Sequence, residues 1–324
     1  QAACGPTLSP EFPLITLFRF AGPLLIKPKL VMVRISGYGQ SGPYSKRPGY
    51  GVVCEAVGGL RHLIGDPDRP PARVSMPLTD YLAGLYGFSG GVMALLHAAS
   101  TGVGQYVDAA LYESAFSFME QHIAAYQQLG LVAKRTGAGF GGSPNNLYPS
   151  KDKLYIHITA HSDAVFKRLS LKIGVGSLHL DARFSTVLNR SKNREFLDPL
   201  LGAWTSKFTL AELESILEDI NVPASKIFTL EDIFRDPHNS ARKAIVEVED
   251  DDLGPVALAA VVPRLSETPG AIRHSGRRVG ADTSDILKEL TGLNDEEITR
   301  LNDAGIIYCA PKQATNISET TGRS

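Results

Sequence analysis

The sequence predicts an α/β protein carrying a second, smaller α+β unit. Three observations lead there. "LVMVRIS" at 30–36 is β-branched and nearly all apolar, as in a strand buried on both faces of a parallel sheet. Strand, helix, helix, strand and helix patterns then follow one another over 30–129, the order of an open α/β sheet. Beyond 150, an alternating strand, several helices and a strand pair succeed one another as a separate α+β unit.

Composition bounds what this fold can do. At 324 residues and 43% apolar the chain can bury a large core, and the bulk of it is not disordered. Thirty-three basic residues face 34 acidic ones. That balance gives no footprint for nucleic acid or for an anionic membrane. Cys4, Cys54 and Cys309 are odd in number and scattered, which suits neither disulfides nor zinc and points to a reducing compartment. No metal site is expected. The longest apolar runs are broken by glycine, serine or charge, and none is expected to span a bilayer; "FPLITLFRFAGPLLI" at 12–26 comes nearest.

The elements follow in order. Residues 1–28 are irregular. After the strand at 30–36 comes a glycine-rich loop, "GYGQSGPYSKRPGYG" at 37–51, then a short helix with a glycine-broken end over 52–65. Asp80 opens a helix through about Ala99, with Leu82, Leu85, Tyr86, Met93 and Leu96 as its apolar positions. "YVDAAL" at 106–111 is a strand, and Tyr112 to Leu129 a helix. The stretch 130–146 has no periodicity and much glycine. "KLYIHITA" at 153–160 alternates as a strand, and helices follow at 162–173, 193–206 and 210–220, the last with a Thr209–Glu212 capping box. A short helix at 231–236, a strand pair around "DDLG", and helices at 283–290 and 295–304 complete the pattern, the last capped by Asn294 and Glu297. The tail from Ala310 is polar and expected to be disordered.

Several residues have two readings. Asp80 is either a plain helix cap or a nucleophile held at a positive helix end. Ala83 stands where a capping-box glutamate would be. The loop with Gly37, Tyr38, Gly39 and Gln40 follows a buried strand, where open α/β sheets bind ligands, or it is simply a tight turn. "GFGGSP" at 139–144 is a linker or a mobile lid. Arg47, Arg61 and Arg73 are solvated surface cations or forks for phosphate and carboxylate.

Three blocks break the tie. "ISGYGQSGPYSKRPGYGVVCEAVGGL", "PPARVSMPLTDYLAGLYG" and "TGVGQYVDAALYES" resemble the class III CoA-transferases in order and spacing, a family that includes the α-methylacyl-CoA racemases. The likeness runs from about 29 to 308 and includes "DTSDILKELTGLNDEEITRLNDAGII". It implies a Rossmann-like large domain over 29–135, a glycine-rich linker or lid at 136–150, a small α+β domain over 151–262 and a return to the large domain at 263–308, between the irregular segment 1–28 and a tail at 309–324. Two such chains would interlock as rings in a homodimer, with the long connections at 130–150 and 262–281 letting one encircle the other. Family members carry about a hundred more residues before the first strand, in keeping with a complete mononucleotide-binding half, so the large domain is expected to be incomplete.

The resemblance also implies chemistry. Asp80 takes the place of the family's nucleophile, and CoA passes from an acyl-CoA to a carboxylic acid through aspartyl anhydride and aspartyl-CoA intermediates, with no metal. Gly139, Gly141, Gly142 and Ser143 form the loop over the thioester, and Tyr38 lies at the active site. Gly37, Gly39, Gln40, Arg47, Arg61 and Arg73 are candidates to bind CoA or the substrate acid. The racemase branch pairs the aspartate with a histidine; here that position falls on Arg61, and His62 lies one residue on, about 100° around a helix. Transferase is therefore favoured over a racemase using Asp80 and His62, with a non-catalytic remnant as the third reading. An intracellular soluble enzyme is expected, cytoplasmic or in a mitochondrial matrix.

Overall fold

A computed structural model describes residues 27–311 except 140 and 176. The irregular segment expected at 1–28 lies almost wholly outside the described residues, as do Cys4, the apolar run at 12–26 and the tail from 312. The fold is mixed α/β, and the chain divides into two compact units at Ile227/Phe228.

The first unit opens with β1 (Met32–Ser36), which pairs in parallel with β2 (Tyr106–Ala110), Met32 opposite Tyr106 and Ser36 opposite Ala110. Parallel strands need a long crossover. It is supplied by α1 (Gly51–Val57), α2 (Leu60–Leu63) and the long α3 (Leu78–Thr101). The expected glycine break falls between α1 and α2, where Gly59 takes the left-handed conformation at φ 84°.

Helix α3 buries the face that the apolar pattern did not single out. Ala83, Gly87, Gly91, Ala94 and Ala98 are buried, whereas Leu85, Met93 and Leu96 are each more than 60% exposed. The reason is close approach. A Cβ on Gly87 would lie 3.1 Å from Ile35 Cδ1, and one on Gly90 2.6 Å from Val107 Cγ1. Only small residues let this helix lie so close to β1 and β2. By length and composition alone α3 could cross a membrane, which the reading of interrupted apolar runs did not foresee. Its small-residue face packs on β1 and β2, and its larger apolar side chains are exposed.

The helix expected over 112–129 is broken. It is α4 (Leu111–Phe116), a 3₁₀ turn at Ser117–Met119, then α5 (Gln121–Leu129), with Glu120 at φ 43° between. Ser114 Oγ donates to the Ala110 carbonyl and Ser117 Oγ to that of Ser114. Such back-bonding competes with the helical ladder and bends it.

A three-stranded antiparallel sheet follows, β3 (Asn145–Pro149), β4 (Tyr155–Thr159) and β5 (Ala224–Lys226), with β4 central. Only β4 was foreseen. β3 is asparagine-rich and ends in a proline, a composition suited to an edge strand but not to recognition by pattern. Helices α6 (Asp163–Lys172), α7 (Val187–Lys192), α8 (Arg194–Thr205) and α9 (Leu210–Asp219) accompany it. α7 was not foreseen, although its Thr186 cap, accepting from the Asn189 N–H, is a local signal. Tyr148, Ile156, Phe166, Leu197, Leu201 and Leu213 head the core here. Each buried leucine contributes about 2 kcal/mol.

The second unit holds α10 (Leu230–Arg235), α11 (Pro237–Ala241), the antiparallel hairpin of β6 (Ile245–Asp250) and β7 (Gly254–Ala259), then α12 (Thr283–Thr291) and α13 (Asp295–Asp303). Gly254 at φ 71° makes the hairpin turn possible. The capping boxes expected at Thr209–Glu212 and Asn294–Glu297 are both formed.

Candidate active site

Asp80 is not the cap of its helix. The N-cap is Pro77, and Asp80 is the third helical residue, in the first turn of α3, with its side chain exposed. Its neighbour Thr79 turns inward, 1% exposed, and donates from Oγ1 to the Gly51 carbonyl at 2.8 Å. That bond ties the start of α3 to the start of α1. The Asp80 carboxylate then lies over Gly51: a Cβ there would stand 2.9 Å from Asp80 Cγ and 2.8 Å from Thr79 Oγ1. Two helix starts therefore meet at one carboxylate. Helix starts present partial positive charge and backbone N–H groups, which suit an anion and an oxyanion developing on it.

Cys54 lies beneath. It is fully buried, and its Sγ donates to the Gly37 carbonyl at 3.3 Å. Burial, and secondly the Asp80 carboxylate, push its thiol up from the ordinary range. A thiol held neutral in this way is a floor for the site, not a nucleophile.

The glycine-rich loop after β1 is built onto the same floor. Gly37 approaches Gly49 so closely that a Cβ on either would meet the other's α-carbon at 2.9 Å. Tyr38 packs between Tyr44 and Tyr112, with ring centroids 5.8 and 6.0 Å away. Gly39, at φ 82°, donates its N–H to Ser36 Oγ, and Gln40 donates to Ser36 Oγ and, from its backbone, to Asp108 Oδ2 at 2.8 Å. Gly39 and Gln40 are thus anchored on Ser36 at the end of β1, and Gln40 also on Asp108 within β2. Arg47 lays its guanidinium over the Tyr44 ring, 3.5 Å from the centroid.

Among the described residues no hydrogen bond joins the other candidates to this cluster. Arg73 is exposed and donates to the Val74 carbonyl, and Arg61 is half-buried in α2. His62 is held by the Ala133 carbonyl at 3.1 Å, on a segment that Arg135 pins through the carbonyls of His62, Asp66 and Arg69. Residues 141–143 dock on α7 and α8. Gly141 accepts from Arg194, and Ser143, fully buried, accepts from Arg190 and donates its N–H to Ser191.

Gly51, Thr79 and Cys54, and likewise Arg190, Ser191 and Arg194, were not singled out in the sequence. Their roles rest on partners 17 to 53 residues away, which leave no local signal. Among the described residues no group of three His, Cys, Asp or Glu side chains is placed to hold a metal ion.

Comparison with known proteins adds the chemistry. The model of CoA-transferase family III matches residues 24–283. The chain is 38% identical over 283 residues to the succinyl-CoA–D-citramalate CoA-transferase of Chloroflexus aurantiacus, covering 87% of this chain and 70% of that one. It is 36% identical to the β subunit of that organism's succinyl-CoA–L-malate CoA-transferase, covering 87% and 71%. Among solved structures, a CAIB/BAIF family protein from Brucella suis superposes with a TM-score of 0.70 at 30% identity, over 86% of this chain and 74% of that one.

Proposed function

The chain belongs to CoA-transferase family III, and on that premise we propose that it moves coenzyme A from an acyl-CoA to a free carboxylic acid with Asp80 as nucleophile. The observation that carries this reading is the exposed Asp80 carboxylate, seated on Gly51 where α1 and α3 begin.

The chemistry divides one difficult exchange into symmetrical steps. A carboxylate oxygen of Asp80 attacks the thioester carbonyl, the C–S bond breaks, and CoA leaves as thiolate, giving a mixed anhydride. The thiolate attacks Asp80 Cγ and expels the donor acid as carboxylate, leaving an aspartyl-CoA thioester. The acceptor carboxylate attacks that carbonyl and releases thiolate again. Attack of the thiolate on the acceptor's acyl carbon gives the new acyl-CoA and frees Asp80. Each step passes through a tetrahedral oxyanion, for which the helix starts provide N–H donors. The anhydride must be shielded from water, the role of the loop at 139–143 in this reading.

Substrates come from the relatives. Both named C. aurantiacus enzymes use succinyl-CoA with a dicarboxylic acid, so succinyl-CoA with citramalate or malate is the first pair to test. The racemase reading requires His62 opposite Asp80 and loses support from the bond of His62 to Ala133. Family membership also supports an interlocked homodimer.

The test is to incubate the chain with succinyl-CoA and map adducts by mass spectrometry. A CoA thioester on the peptide holding Asp80, absent from Asp80→Ala, is expected. Folded, CoA-binding protein without that adduct would overturn the assignment.

A further inference from the structure

A cavity of about 290 Å³ opens in the first unit between α6, the 3₁₀ turn at Leu178–Leu180 and α7. Asp163, Lys167, His179, Ser185 and Arg190 line it, with Phe166 as an apolar wall. None of these side chains has a part in the transfer chemistry above.

Their hydrogen-bonding groups can be counted proton by proton. Arg190 is fully buried. Its Nε donates to the Ser143 carbonyl, Nη2 to the His161 carbonyl and to Asp163 Oδ1, and Nη1 to the Phe184 carbonyl alone, at 2.9 Å. A guanidinium Nη carries two hydrogens, so one on Nη1 is unspent. An N–H buried without an acceptor is costly, and a ligand in the cavity would supply one. Among the described residues the Lys167 ammonium and the Ser185 hydroxyl have no partner either. Asp163 and Ala164 open α6, whose cap Ser162 Oγ accepts from the Val165 N–H. The first two N–H groups of the helix are therefore further donors beside the cavity.

The lining also holds acceptors. Ser170 Oγ has one hydrogen and donates it to the Lys167 carbonyl at 2.9 Å. His179 Nδ1, which meets the same oxygen at 3.1 Å, must then be the donor in that contact. The hydrogen-bond network thus assigns the neutral ring its Nδ1–H tautomer and leaves the Nε2 lone pair for a ligand. The Asp163 carboxylate is the second acceptor, its side chain 65% exposed and its Oδ1 held by Arg190 at 2.6 Å.

We propose that this cavity is a binding site for hydrogen phosphate, a site that nothing in the transfer reading requires. Donors from separate places in the fold, Lys167, Ser185, Arg190 Nη1 and the start of α6, suit a tetrahedral anion with four oxygens better than a planar carboxylate with two. The acceptors select for an anion that brings its own O–H. Phosphate carries one at neutral pH and gives it to Asp163 or His179. Sulfate has none, and meets the Asp163 carboxylate as a like charge. The volume falls at the small end of ligand sites, which run to roughly 300–1,000 Å³.

Equilibrium dialysis of the full chain against radiolabelled phosphate, with and without saturating CoA, tests the proposal. A single saturable site, unaffected by CoA, is expected. Phosphate should bind about tenfold more tightly than sulfate, and more tightly than malonate. Lys167→Ala, at an exposed position, should weaken phosphate about tenfold. Asp163→Asn keeps an oxygen for Arg190 but loses the charge, and should bring the two Kd values to within about threefold of each other by tightening sulfate. A ratio of two affinities does not depend on how much protein is folded, so a merely structural role for Asp163 would leave it unmoved. Absence of saturable binding, displacement by CoA, tighter binding of malonate or equal binding of sulfate by the unaltered chain would each overturn the proposal. So would phosphate affinity indifferent to Lys167→Ala, or a phosphate-to-sulfate ratio indifferent to Asp163→Asn.

Discussion

Gly51 and Asp80 occupy the same space: a side chain on the glycine would displace the carboxylate, with its Cβ 2.9 Å from Asp80 Cγ. Gly51 is the first residue of α1 and is absent from the residues with positive φ, so alanine is allowed there by the backbone. Alanine is also the better helix former.

Gly51→Ala should therefore separate activity from stability. We expect kcat/KM for CoA transfer to fall about a hundredfold, the usual effect of misplacing a reacting group by an ångström. The melting temperature should fall by far less, since besides Asp80 only the Thr79 hydroxyl, 2.8 Å from the added Cβ, must shift. Steady-state kinetics beside thermal unfolding gives the answer, and a fully active Gly51→Ala enzyme would mean that the seat does not position Asp80.

Cys54 supplies a pH prediction. Its thiol is pushed up, first by burial and then by Asp80, so the folded state keeps a proton that the unfolded chain sheds near 9.0. Above that pH the unfolded chain binds fewer protons, and stability falls as pH rises. Urea unfolding at pH 8 and pH 10 should show this fall in the wild type and a smaller one in Cys54→Ala. Equal slopes would remove Cys54 from the account.

Assembly supplies another. Tyr81, Leu85, Phe88 and Leu96 on α3 are each at least 63% exposed, a large apolar face for a free chain in water. We expect a dimer that persists on dilution and unfolds in one transition. Light scattering over a wide dilution series checks it. A stable compact monomer would remove the homodimer from the functional proposal.

Some of this was legible because its physics is local. β1 announced itself through the alternating Val33 and Ile35, although both are at least 40% exposed and the strand is not buried on both faces, and the caps at Thr209 and Asn294 through a partner three residues on. Asp80 stood out by its place behind a proline at the start of an apolar helix. In each case the deciding contact lies within one turn or one strand.

The sequence by itself determined these elements, the mixed α/β class and, through three ordered blocks, the family. Only the tertiary structure decided which face of α3 is buried, because an apolar count favours Leu85 and Leu96 while close approach to Val33, Ile35 and Val107 admits only glycine and alanine. It likewise decided that Gly51 seats the Asp80 carboxylate and that Arg190 grips Ser143. Those pairs are separated by 29 and 47 residues, and contact across such a distance follows from how layers pack, which no spacing in the chain encodes.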